Sequence, residues 1–441
     1  MRARLVPVSF DGAGAAFAAQ TAALRTLLAG EAELLEPVAL GQPLPDADAV
    51  LFPELTGDAF GRVAEIAAIP LPLLVLTSEF GTMAMWDWEL ISYLRGEGIE
   101  PLAPYSLAAA RTACRALAAK RELAGGRFLV YQDSPGEAGF QPSIFKRFYW
   151  WEDECAERIR ERFGLKIEKR SFAELGRRAR SVPEHETRRE LGRIRETTPF
   201  AGVSERAALA AVRFYIAIRD ELDEAGSVLG AGINCLNESA CAIGTPCLAW
   251  SLLYAERDLI WGCEGDTVSM LTAFVLERSL RVPILMTNLY PFLMGEAATA
   301  HERIPSFPEV EDPDDHVLAA HCGYFGLLPH AFTDDWSLRP KVLAIVDEDS
   351  TAIDAALPPG DLTLSKLDPT FERLVVIEGE LERYAGYPGS DCLNGAVIRV
   401  PDGHQLMRRL PSHHSLLTAG HDPAGFELLA RVFDLGLERV A

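Results

Sequence analysis

The chain has 441 residues, 49% of them hydrophobic and 24% charged, and its 42 Lys plus Arg against 64 Asp plus Glu give a formal net charge of −22. That length exceeds one ordinary hydrophobic core, so two or three domains are expected. The acidic balance argues against nucleic-acid backbones and anionic membranes as partners, and leaves neutral sugars and divalent cations open.

The start, Met1-Arg2-Ala3-Arg4-Leu5-Val6-Pro7, runs straight into a strand pattern with no apolar secretory segment. No uncharged apolar run of about 18 residues occurs, so no membrane span is expected and the cytoplasm is the default location. The eight cysteines include no CxxC pair. Buried thiols in a reducing compartment are the expectation, and spacing alone does not decide whether Cys235 and Cys241 pair.

Residues 1–125 alternate strand patterns (5–10, 49–52, 71–77) with helix patterns (15–28, 57–69, 83–95, 107–123), which predicts a parallel sheet covered by helices. Trp86 and Trp88 in the third helix pattern read as core or interface residues. A second α/β domain is expected over 126–226. It has strand patterns at 127–132 and 165–171, a turn at Asp133-Ser134-Pro135-Gly136, and a helix pattern at 144–163 carrying Trp150 and Trp151. The stretch 172–197, rich in Arg and Glu, reads as a solvated helical face with i,i+4 ion pairs, and 205–222 as a further helix. No GxGxxG follows a strand, so a nicotinamide or flavin cofactor lacks support.

The segment 227–340 holds the densest chemistry. Four successive apolar runs end in polar residues: 228–236 before Glu238, 258–263 before Glu264, 282–286 before Asn288, and 316–320 before His321. If these strands are parallel, the four residues converge on one rim, where open α/β sheets bind ligands. Asp266, just before the helix pattern that starts near 270, reads as an N-cap. Glu264 is one residue early and too long for that role. Over 341–441 the pattern changes to short β runs (342–347, 362–365, 374–380, 396–400) without intervening helices. That predicts antiparallel strands in a small barrel or sandwich, then His413-His414 and a last helix at 423–433.

Several motifs occur in one order: Ile233-Asn234-Cys235 with Glu238, Cys263-Glu264-Gly265-Asp266, His321-Cys322-Gly323, Gly360-Asp361-Leu362-Thr363-Leu364, Glu378-Gly379-Glu380, and His413-His414. Together they resemble the L-fucose isomerase and L-arabinose isomerase superfamily, and most closely its shorter fucose-isomerase-like proteins. The resemblance covers roughly residues 125–440. It implies two N-terminal parallel-sheet α/β domains followed by a C-terminal antiparallel β barrel. It also implies a homo-trimer or hexamer that isomerises a small-molecule sugar between aldose and ketose through a Mn²⁺-stabilised enediol, with Mg²⁺ possible.

Carried over residue by residue, Glu264 resembles the metal-bound carboxylate that also moves a proton. His414 resembles the metal-binding histidine, and His321 the strand-end histidine that binds or supports the metal. At the second acidic ligand the chain departs from the pattern, because Asn288 stands there. An amide oxygen can face a hard cation, but it cannot exchange a proton as a carboxylate does. Glu238 or a metal-bound water would have to take that part, and Glu296 is the one further downstream acid within imaginable reach. The competing expectation is a non-catalytic member of the superfamily that binds a sugar or metal.

Overall fold

The computed structural model describes residues 1–10, 12–134, 147–235, 238, 241–292, 309–320, 329–340, 350–385 and 395–440. His321, Glu296, Cys322, Cys392 and the expected strand at 342–347 lie outside these residues. The chain divides into two compact units. One comprises Met1–Ala124, Val275–Arg281 and Asp422–Gly436, and the other Gly125–Phe274, Val282–His421 and Leu437–Ala441.

In the first unit, β1 (Ala3–Ser9), β2 (Ala32–Leu34), β3 (Val38–Ala39), β4 (Ala49–Phe52) and β5 (Leu73–Val75) form an all-parallel sheet in the order β2-β1-β4-β5, with β3 also on β1. The central strands are buried on both faces, and Val6, Val8, Val50, Phe52, Val75 and Ile91 share one core. Parallel strands covered by helices need such continuous apolar runs. The helix Leu107–Leu123 begins on a Ser106 cap, whose Oγ accepts the Ala109 N–H. Lys120 reaches the Val432 carbonyl at the end of the helix Pro423–Val432, at 2.8 Å. Trp86 and Trp88 are exposed rather than core, on a 3-10 turn leading into the helix Trp88–Gly96.

The second unit contains a parallel sheet and a barrel. The sheet has β6 (Arg127–Tyr131), β7 (Lys166–Arg170), β8 (Gly230–Ile233) and β9 (Ile260–Cys263) in the order β7-β6-β8-β9. It thus draws on strands from both sides of the sequence boundary at 226. The charged stretch after β7 is two helices, Phe172–Ser181 and Glu184–Arg195. Pro183 separates them, since it has no N–H to continue a helix. Surface pairs such as Arg188 with Glu184, at 2.7 Å, line the second.

Among the described residues, nine further strands follow: β10 (Leu285–Pro291), β11 (His316–Ala320), β12 (Trp336–Pro340), β13 (Thr351–Ala355), β14 (Gly360–Leu367), β15 (Arg373–Ala385), β16 (Gly395–Arg399), β17 (His414–Ala419) and β18 (Gly436–Val440). The order β14-β17-β10-β11-β16-β15 closes on itself through β14–β15 pairing, giving a six-stranded antiparallel barrel with β18 added on β15. Closure removes the exposed strand edges that a small sheet would otherwise present. Alternate residues, among them Leu285, Val317, Leu364, Ile377, Ile398 and Leu417, fill one core. The fold class is therefore the expected one: parallel α/β sheets followed by an antiparallel barrel.

One expectation fails. Asn288 lies within β10, which is antiparallel to both β11 and β17. The four polar positions are therefore not the ends of four parallel strands. A short apolar run specifies burial, and the direction of its neighbours is not written in it. Among the described residues, no helix is long and apolar enough to cross a membrane. Six cysteines are described, and none is in a disulfide.

Candidate metal centre

Strand β9 is wholly buried and packs closely on the helix that follows it, Thr267–Leu280. Gly262 permits this approach, because a Cβ there would meet Met270 Cγ at 2.5 Å. The chain then reverses through two left-handed residues, Glu264 (φ 55°) and Gly265 (φ 64°), closed by the Asp266 N–H on the Cys263 carbonyl at 3.1 Å. Glycine takes this conformation freely. For Glu264 it costs about 1–2 kcal/mol, and strain of this kind concentrates at functional sites. Trp151 Nε1–H donates to the Glu264 carbonyl at 2.7 Å and pins the turn.

Asp266 does cap the helix, as its position suggested: Oδ1 accepts the Ser269 N–H at 2.8 Å. Its other oxygen does more. Oδ2 accepts from Ser269 Oγ at 2.8 Å and Lys366 Nζ at 2.7 Å, and His414 Nδ1 lies 2.8 Å away. Asp266, Lys366 and His414 are all buried. Burial by itself would raise the Asp266 carboxyl; the Lys366 charge and the His414 hydrogen bond outweigh it and hold the group well below the usual carboxylate range. Burial pushes the Lys366 ammonium down against the pull of Asp266. Burial, and then the neighbouring His413, depress His414 well below an ordinary histidine.

The far side of His414 faces Glu264. Its Nε2 is 3.8 Å from Glu264 Oε2, and His413 Nε2 is 3.9 Å from the same oxygen. Donor atoms of Glu264, His413 and His414 all lie within 4.8 Å of one another, so the cluster could hold a metal ion. Two ligands bound at about 2.1 Å to one ion stand about 3–4.2 Å apart, so the measured spacing fits. Glu264 and His414 are buried, while the His413 side chain is 37% exposed and marks the open side. Aromatic rings surround the imidazoles. The His413 centroid is 5.4 Å from Phe148 and 5.9 Å from Trp150, and Trp150 is 5.4 Å from His414.

Asn288 sits directly across from His414 in the β10–β17 register, so the two side chains share a face of the barrel wall. Its Nδ2 donates to Tyr290 Oη at 3.2 Å. Glu238 is also buried, but it is turned elsewhere. Its carboxylate accepts from the Asp133 N–H at 2.9 Å, the Ser134 N–H at 2.6 Å and Asn234 Nδ2 at 3.1 Å. Burial raises its pKa, against those hydrogen bonds. Glu238 is not part of the metal-type cluster found among the described residues.

The sequence points to Glu264 and His414 but gives His413 no ligand role, places Trp150 and Trp151 on a helix pattern without a role, and does not single out Lys366. The signal for Lys366 was present. A lysine inside the run Leu364-Ser365-Lys366-Leu367 must be exposed or paired, and the expected run at 362–365 stops two residues short of the strand's end at Leu367. No protein-family model and no curated protein matches the chain.

Proposed function

We propose that this protein is a divalent-metal-dependent aldose–ketose isomerase, with Mn²⁺ as the favoured ion and Mg²⁺ as the alternative. One observation carries the reading: a buried carboxylate oxygen lies 3.8 and 3.9 Å from two imidazole nitrogens. One carboxylate and two imidazoles suit Mn²⁺ better than Mg²⁺, which prefers oxygen alone. The order of motifs supports the sugar isomerase superfamily as the context.

When bound, such an ion would polarise the O1 and O2 oxygens of an open-chain sugar as a Lewis acid. Glu264 would accept the proton from C2 of the aldose and return it to C1, and the accompanying exchange between O1 and O2 falls to water. His413 and His414 hold the cluster, and His413 carries it toward solvent. Phe148 and Trp150 pack against the imidazoles and give that part of the cluster an apolar surface. In this reading Glu238 ties the end of β6 to the end of β8 and stays outside the proton path.

A second reading, metal or sugar binding without turnover, is favoured by two specific residues. Asn288 stands where a second carboxylate is expected, and the Asp266 carboxylate is already taken by Ser269, Lys366 and His414. A panel of aldoses and ketoses assayed with Mn²⁺ separates the two. Isomerisation of any member, lost in Glu264→Gln, supports the first. Stoichiometric Mn²⁺ binding without isomerisation across the panel supports the second.

A further inference from the structure

The geometry points to Lys366 as a positioning residue: its ammonium fixes the Asp266 carboxylate so that Asp266 accepts His414 Nδ1–H and leaves His414 Nε2 as the ligand atom facing Glu264. This deepens the metal reading above and rests on it.

Lys366 sits on β14 inside the barrel wall and is 2% exposed. A charge that deep is strongly destabilising unless paired. It is paired at 2.7 Å with Asp266 Oδ2, is 2.5 Å from Ser269 Oγ, and lies 5.7 Å above the Trp150 ring. Asp266 receives Ser269 N–H on Oδ1, and Ser269 Oγ–H and Lys366 on Oδ2. Both carboxylate oxygens therefore act as acceptors, and the imidazole nitrogen facing Oδ2 must carry the hydrogen. With the hydrogen on Nδ1, the lone pair is on Nε2, 3.8 Å from Glu264 Oε2. Carboxylate partners of this kind set the tautomer and ring orientation of metal-ligating histidines.

Ser269 alone does not accomplish this. Both of its bonds to Asp266 come from the same helix turn and leave the orientation toward β17 unset. Lys366 comes from β14, which pairs with β17, so it ties the strand–helix turn to the strand that carries His414.

The test uses the full chain, metal-free and labelled at histidine with ¹⁵N, with the His414 signals assigned by a His414→Gln variant. Wild type is expected to show His414 protonated on Nδ1. Lys366→Met is expected to lose that single tautomer and to weaken Mn²⁺ binding about 10–100-fold. Because Lys366→Met leaves Asp266 without its charge partner and is at risk of misfolding, Lys366→Met/Asp266→Asn is measured beside it. That double variant removes both members of the buried Lys366–Asp266 charge pair, and it is expected to fold and to bind Mn²⁺ no better than Lys366→Met. A wild-type His414 protonated on Nε2 overturns the inference. So does a folded variant without Lys366 that keeps both the wild-type tautomer and the wild-type Mn²⁺ affinity. If wild type binds no Mn²⁺ yet shows the Lys366-dependent Nδ1–H tautomer, the metal reading fails and the positioning role stands.

Discussion

The ends of β8 and β9 make an informative pair. The strands are parallel neighbours in register, Ile233 beside Cys263, and each is followed within a few residues by a buried glutamate. At the first, Glu238 folds back on two backbone N–H groups and an amide, all short. At the second, Glu264 is held in a left-handed turn with its oxygen opposite two imidazoles. Residue type and strand-end position are the same. The difference lies in what the barrel brings. Among the described residues, no barrel strand supplies a hydrogen bond to Glu238, while Glu264 and Asp266 meet His414 of β17 and Lys366 of β14. A carboxylate at a strand end becomes chemistry only when a second element supplies its counterpart.

The sharpest way to break this contrast is to neutralise each glutamate. If the protein turns over as proposed, Glu264→Gln is expected to lower that turnover about 10²–10⁴-fold, the range for a lost acid–base group, whereas Glu238→Gln should leave it within a few-fold in the same coupled assay. Equal losses would erase the distinction. Next in size, His413→Ala and His414→Ala are each expected to weaken Mn²⁺ at least about tenfold by titration, in line with the cost of disturbing a metal site. His414→Ala should also destabilise the fold, because it removes one of the donors on the buried Asp266 carboxylate.

How much of this was legible in the sequence follows from the same contrast. The parallel sheets were readable, because strands buried on both faces leave unbroken apolar runs such as Leu73–Val75 and Ile260–Cys263. The barrel was readable from β runs that lack helices between them. Glu264 and His414 stood out by motif order. Strand direction was not legible, so Asn288 was placed at a strand end although it lies within an antiparallel wall. Nor was the Lys366–Asp266 pair, since its residues are a hundred positions apart and joined by tertiary packing alone.

Smaller effects sharpen the comparison. Gly265→Ala places a Cβ at φ 64°, 3.3 Å from Val130 Cγ1, and is expected to cost about 1–2 kcal/mol in urea unfolding. Trp151→Phe removes the N–H on the Glu264 carbonyl and should cost about 1–3 kcal/mol, the penalty for a buried group left without its hydrogen bond. The smallest effect concerns pH. Because Glu238 has a raised pKa in the fold, its ionisation is harder there than in the unfolded chain. Wild type should therefore lose stability relative to Glu238→Gln as pH rises from the ordinary glutamate value of 4.5 to the folded value, by at most about 1.4 kcal/mol per pH unit. A difference that instead grows in favour of wild type with rising pH would contradict the burial argument.

The most direct measurement is a Mn²⁺ titration of the purified full chain, read by electron paramagnetic resonance, with Glu264→Ala and His414→Ala beside it and circular dichroism to confirm folding. A metal centre at Glu264, His413 and His414 predicts one tightly bound ion per chain in wild type and its loss in both folded variants. Wild type without bound Mn²⁺, or binding that survives both substitutions, would contradict it.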